Sequence, residues 1–76
     1  MIAYGNLTGT KNGSNLNFTI PVTLVANSVL ILFNTAALYP VASSPNTTQC
    51  IISGSNVTLG KAPESTDDLW YYGDTP

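Results

Sequence analysis

The side chains that could do acid–base chemistry are few and lie near the C-terminal end of the sequence. They are Glu64, Asp67, Asp68 and Asp74, and the chain has no histidine. General acid–base catalysis needs a titratable group with a tuned pKa in a cleft, whereas loop carboxylates are usually solvated. We therefore expect an exposed acidic rim. Asp67 and Asp68 could supply oxygen ligands for calcium, but the spacing of a known calcium-binding loop is missing.

The single cysteine, Cys50, is the remaining candidate nucleophile. No histidine is present to act as its base, and between Gln49 and Ile51 it is predicted to be a small buried hydrophobe in a strand. It has no partner for an intramolecular disulfide, and a zinc site needs about four ligands, mostly Cys or His. We therefore predict a protein that is not an enzyme and holds no metal or cofactor.

Length and composition favour a protein that is stabilised by association. The 76 residues allow one domain, residues 1–76, and a chain this short is marginally stable alone. Charged residues are 8% of the chain, against roughly 25% in ordinary soluble domains. A surface so poor in charge loses little solvation energy when a partner covers it. We expect a homo-oligomer or a many-copy assembly.

Nucleic acid and membrane are not expected as partners. The net charge is −2, and Lys11 and Lys61 are the only basic side chains, whereas phosphate binding depends on Lys and Arg. The longest apolar run, residues 29–33, is far below the roughly 20 residues that span a bilayer. The N-terminal residues have neither the basic start nor the apolar core of a signal peptide. We therefore expect synthesis in a cytoplasm.

Short strands bounded by turn residues account for most of the chain. Residues 15–20 alternate, with Leu16, Phe18 and Ile20 on one face, and Pro21 ends that strand. Gly54-Ser55 fits a two-residue hairpin turn. The predicted fold is all-β, a small antiparallel β-sandwich or barrel of about seven strands with a polar tail at residues 73–76. The predicted strands are residues 3–10, 15–20, 28–33, 36–39, 47–53, 56–59 and 68–72.

Two strands have large apolar side chains on both faces. If the odd-numbered residues of 29–33 face the core, then Leu30 and Leu32 point outward. In the last strand, Trp70 and Tyr72 likewise point to the face opposite that of Leu69 and Tyr71. Either both faces are covered within the monomer, or these four side chains form an interface with another subunit. The candidate interface residues are therefore Leu30, Leu32, Trp70 and Tyr72.

The order of the segments is itself informative. Residues 9–21 contain a Gly/Asn-rich turn and a strand ending in Phe-Thr-Ile-Pro, residues 28–34 are an apolar strand with its turn, and residues 52–59 are an Ile-Ser-Gly hairpin. Ala62-Pro63 and an aromatic strand at 70–72 follow. This order resembles a short β-sandwich module of tailed-bacteriophage structural proteins. The chain departs from it at Thr35, where the module usually has Gly. A β-branched residue is strained at positive φ, which argues against a two-residue type I′ turn.

The resemblance implies a virion structural protein, made in the host cytoplasm and located in the virion. The favoured position is a capsid decoration (cement) or minor capsid protein; a tail, neck or fibre component is the other. The implied partners are other virion proteins, namely the major capsid protein or tail and neck proteins. The alternative is a carbohydrate-binding or adhesin module, since aromatic faces can stack on sugar rings. The aromatic residues considered for this are Tyr4, Tyr39, Trp70, Tyr71 and Tyr72.

Overall fold

A computed structural model describes the whole chain, Met1–Pro76, as an all-β fold without helices. No helix long and apolar enough to cross a membrane is therefore present. The number of strands and their order along the chain agree with the prediction. The strands are β1 (Ile2–Asn6), β2 (Asn17–Thr19), β3 (Leu30–Phe33), β4 (Ala36–Pro40), β5 (Gln49–Ser53), β6 (Asn56–Leu59) and β7 (Leu69–Asp74).

The strands form one curled sheet in the order β1-β7-β3-β4-β5-β6-β2. Its two ends approach each other where the Thr8 amide donates to the Thr19 carbonyl at 2.8 Å and the Thr19 amide donates back at 2.9 Å. The result is a half-barrel, and a two-layer sandwich is not confirmed. The expectation of a wholly antiparallel sheet is corrected, because β4 and β5 run parallel. The segment between them returns the chain to the side of β4, and β5 then runs in the same direction as β4.

Alternate residues of the strands point into the half-barrel and form its core. Ile31 and Cys50 are fully buried, and no polar or charged side chain is buried. The prediction that Cys50 is a buried hydrophobe is confirmed. Leu16 differs from its prediction, because β2 begins after it and 38% of its surface is exposed. The core residues are Leu7, Phe18, Ile20, Ile31, Leu38, Cys50, Val57, Leu59, Leu69 and Tyr71.

Both tight hairpins use two-residue turns. Ser53 pairs with Asn56 across Gly54-Ser55, and Gly54 has the expected positive φ of 61°. Phe33 pairs with Ala36 across Asn34-Thr35, where φ is 56° for Asn34 and 146° for Thr35. The turn thus has two residues, but the φ of Thr35 lies far from the roughly 90° of a type I′ turn, which agrees with the argument against that turn type. Strained backbone of this kind persists where surrounding contacts hold it, and here Asn34 supplies those contacts.

The last strand is longer than predicted. β7 runs to Asp74, so Gly73 and Asp74 belong to the sheet and not to the predicted polar tail. The Thr75 amide donates to the Met1 carbonyl at 2.8 Å, which continues the pairing of β7 with β1. β7 is therefore a central strand, hydrogen-bonded to β1 on one side and to β3 on the other.

Candidate interaction surface

Three neighbouring strands, β1, β7 and β3, present apolar side chains on the face that points away from the core. The register places Leu30 opposite Tyr72 and Leu32 opposite Trp70, while Tyr72 also lies opposite Tyr4 of β1. All four candidate interface residues are thus brought together. We call this face the outer surface, and it consists of Ile2, Tyr4, Leu30, Leu32, Trp70 and Tyr72.

The outer surface is accessible to solvent although it is apolar. Tyr4 is 62% exposed and Leu30 is 43% exposed, while Leu32 and Trp70 are half-buried by their neighbours. Ile31, which follows Leu30 in the same strand, has no exposed surface. The outward orientation predicted from the alternation is therefore confirmed. The role of these side chains as an interface stays a prediction.

Aromatic rings stack on one another in the part of the outer surface over β1 and β7. The Tyr4 ring lies 6.0 Å from the Trp70 ring at an interplanar angle of 12°, and 5.5 Å from the Tyr72 ring at 20°. Aromatic pairs in such geometry contribute about 0.5–1.5 kcal/mol each beyond the burial of their area. The sequence did not assign Tyr4 to the interface, because its place beside Trp70 and Tyr72 depends on the pairing of β1 with β7.

A cleft of about 300 Å³ lies at one side of the outer surface. Its floor is apolar, and its rim carries polar groups from the β3–β4 turn and from the start of β7. The Asp68 side chain is exposed and makes no hydrogen bond within the chain, so its carboxylate is free to accept hydrogen bonds from a ligand. The residues that line the cleft are Leu32, Asn34, Thr35, Asp68, Trp70 and Tyr72.

Asn34 fixes the rim of this cleft. Its side-chain Oδ1 accepts the Asp68 amide at 2.8 Å, and its Nδ2 donates to Asp67 Oδ1 at 3.0 Å. Asp67 Oδ2 also accepts the Glu64 amide at 2.9 Å. The hydrogen bond from Asn34, and then that from the Glu64 amide, lower the pKa of Asp67. This carboxylate therefore anchors the loop before β7 to the β3–β4 turn.

The remaining side chains that could act as acids, bases, nucleophiles or ligands are dispersed on the surface or buried. Glu64, Asp68 and Asp74 are exposed, and no three His, Cys, Asp or Glu side chains come together as a metal site would require. Burial raises the pKa of the Cys50 thiol. Tyr71, one of the aromatic residues considered for sugar stacking, lies in the core at 5% exposure and offers no face to a ligand.

The outer surface and its cleft are thus the features that could engage a partner. Comparisons with protein-family models, with curated proteins and with solved structures found no match to this chain. A proposal about function depends on the sequence pattern and on the chemistry of this surface.

Proposed function

We propose that this chain is a non-enzymatic structural protein of a tailed-phage virion. Within the particle it acts as a capsid decoration (cement) or minor capsid protein, and its partner is the major capsid protein. A tail, neck or fibre position would bring a different virion protein to the same surface. The order of turn and strand motifs, which resembles the short β-sandwich module of phage structural proteins, supports the choice of particle.

The observation that carries the proposal is the outer surface. It combines aromatic and aliphatic side chains of three adjacent strands, and charged side chains lie only at its margin, Asp74 opposite Ile2 and Asp68 at the rim of the cleft. Contiguous apolar patches on a soluble protein commonly mark interaction sites, and interface cores are rich in Tyr and Trp and poor in charge. Each 100 Å² of apolar area that a partner covers contributes about 2.5 kcal/mol before the costs of association.

Substitution of an outward leucine by aspartate tests the proposal. Leu30→Asp and Leu32→Asp place a charge in the middle of the outer surface, which would have to lose its hydration in a complex. Leu16→Asp is the matched control, because Leu16 is exposed to a similar degree, 38% against 43% for Leu30, and lies outside the outer surface.

The assay is co-sedimentation with virus particles purified from cultures that express the chain, followed by mass spectrometry for stoichiometry. We expect the wild-type chain and Leu16→Asp to travel with the particle at a fixed copy number. Leu30→Asp and Leu32→Asp should stay in the soluble fraction with the circular dichroism of a β-sheet protein. Normal incorporation of both leucine variants would refute the interface, and absence of the wild-type chain from particles would refute the virion role.

A carbohydrate-binding or adhesin module is the second candidate, and the cleft favours it. Trp70 and Tyr72 give the cleft flat apolar walls, while the unpaired Asp68 carboxylate at the rim can accept hydrogen bonds from sugar hydroxyl groups. Glycan-array binding that Trp70→Ala and Asp68→Asn each weaken would support this function. Binding that is absent, or unchanged in both variants, would exclude the cleft as a sugar site.

A further inference from the structure

The two edges of the curled sheet differ in their hydrogen bonding. At the β2 edge, the Asn17 amide donates to Asn15 Oδ1 at 3.2 Å and the Asn17 carbonyl accepts from Asn15 Nδ2 at 2.9 Å. Thr19, the other residue whose backbone faces that edge, is paired with Thr8. The β2 edge is therefore closed by the chain itself.

The β1 edge is open. Ala3 and Gly5 direct their backbone groups at β7, and the pairing continues with the Met1 carbonyl and the Leu7 amide. The backbone groups of the intervening residues, Ile2, Tyr4 and Asn6, point to the other side. None of these amides and carbonyls has a hydrogen-bond partner within the chain.

Nothing in β1 protects this open edge. Sheet edges in stable monomers are usually blunted by a charged side chain, a proline, a bulge or a covering loop. β1 has the sequence Ile-Ala-Tyr-Gly-Asn, without charge or proline, and it pairs with β7 in unbroken register. Ile2 and Tyr4 are 60% and 62% exposed. An unprotected edge of this kind is a template for an added strand.

We propose that β1 pairs antiparallel with β1 of a second copy of this chain, about a two-fold axis at Tyr4. In this register Tyr4 lies opposite Tyr4 of the second copy, and Ile2 lies opposite Asn6. The free amides and carbonyls of Ile2, Tyr4 and Asn6 then all form hydrogen bonds with the second copy. A shift toward Thr8 is blocked, because the backbone of Thr8 is already bonded to Thr19.

The symmetry of the edge is what favours a second copy as the partner strand. Isologous two-fold contacts need a surface that is complementary to itself, and the free groups of β1 meet this condition in the register centred on Tyr4. Residues directly opposite in an antiparallel pair point to the same face, so the two outer surfaces become continuous. The pairing follows from the backbone alone and does not depend on the virion role.

Charge exchange at Tyr4 tests both the partner and the register. Tyr4 is 62% exposed, so its replacement should cost only the stacking on Trp70 and Tyr72 and leave the core intact. Tyr4→Lys or Tyr4→Glu alone sets two like charges directly opposite each other, which we expect to weaken dimerisation about tenfold or more. A 1:1 mixture of the two variants sets opposite charges across the axis and should recover a mixed dimer. Tyr39→Lys is the control, since Tyr39 is also exposed but lies on the internal strand β4.

Sedimentation equilibrium over a range of concentrations measures the dimer, and amide hydrogen exchange locates it. In the dimer the amides of Ile2, Tyr4 and Asn6 should become protected, whereas those of Ala3 and Gly5 are protected at every concentration. A wild-type chain that stays monomeric at about 1 mM, or Tyr4 variants whose mixture shows no recovery, would overturn the proposal. Absence of the wild-type chain from particles bears only on the virion role, so the two failures can be distinguished.

Discussion

Leu30 and Ile31 are adjacent in β3 but should differ sharply in what they contribute to folding. Ile31 is completely buried, and truncation of such a residue to alanine costs about 2–5 kcal/mol, including the cavity left behind. Leu30 keeps 43% of its surface exposed in the folded monomer. Full burial of a leucine contributes about 1.5–3 kcal/mol, so Leu30→Ala should cost only about 1 kcal/mol.

The difference is large compared with the total stability of so small a domain. At about 0.05–0.15 kcal/mol per residue, a 76-residue chain has a free energy of unfolding of about 4–11 kcal/mol. Ile31→Ala should therefore remove a large fraction of the free energy of unfolding, whereas Leu30→Ala should leave a folded monomer. Urea denaturation followed by tryptophan fluorescence measures both. Equal losses for the two variants, measured on the monomer, would show that Leu30 is not on an outward face, and the outer surface would lose its basis.

Three further predictions concern groups away from the outer surface. Because burial raises the pKa of Cys50, its thiol should react with a thiol reagent only on unfolding. The contribution of Cys50 to the free energy of unfolding should be fully present below the unfolded-state pKa of about 8.5 and should decline as pH rises beyond it. The variant Cys50→Ala should lack that decline. The pKa of Asp67 is lowered, so its effect on stability depends on pH in the opposite direction. The stabilisation from Asp67 is present above about pH 3.9 and is lost as pH falls through the folded-state pKa. Asp67→Asn should remove this dependence in acid titrations of unfolding. Gly60→Ala should cost more than about 3 kcal/mol in urea denaturation, because the added Cβ would collide with the backbone carbonyl of Asn46. Gly54→Ala meets no atom but keeps a φ of 61°, so its cost should be only about 1–2 kcal/mol.

Local chemistry made much of the fold predictable. Turn residues and alternation located the strands, and β6 has the bounds predicted for it. Pairing partners lie beyond the reach of such patterns, because a strand alternates in the same way whichever neighbour it bonds. The parallel pairing of β4 with β5 and the extension of β7 to Asp74 both depend on contacts distant in sequence.

The candidate surface shows the same division. Alternation within β3 and β7 was sufficient to orient Leu30 and Trp70 outward. Tyr4 joined them only through the β1–β7 register. Asn34 was missed as an anchor, because its partners Asp67 and Asp68 lie more than thirty residues away. The available signal was an asparagine before a strained β-branched residue, since Asn tolerates positive φ and its side chain can hydrogen-bond the backbone.

Tyr4 connects the two proposed contacts, because its ring belongs to the outer surface while its backbone belongs to the open edge. If the chain pairs through β1, the stacked rings of both copies lie on one face and meet across the two-fold axis. A virion partner that covers this face would then contact two copies at once, and each contact would raise the effective concentration for the other. Weak binding by a single outer surface would therefore be sufficient for stable incorporation. We accordingly expect Tyr4→Lys to reduce incorporation into particles more than the loss of one exposed tyrosine ring would, and the equimolar mixture with Tyr4→Glu to restore part of it.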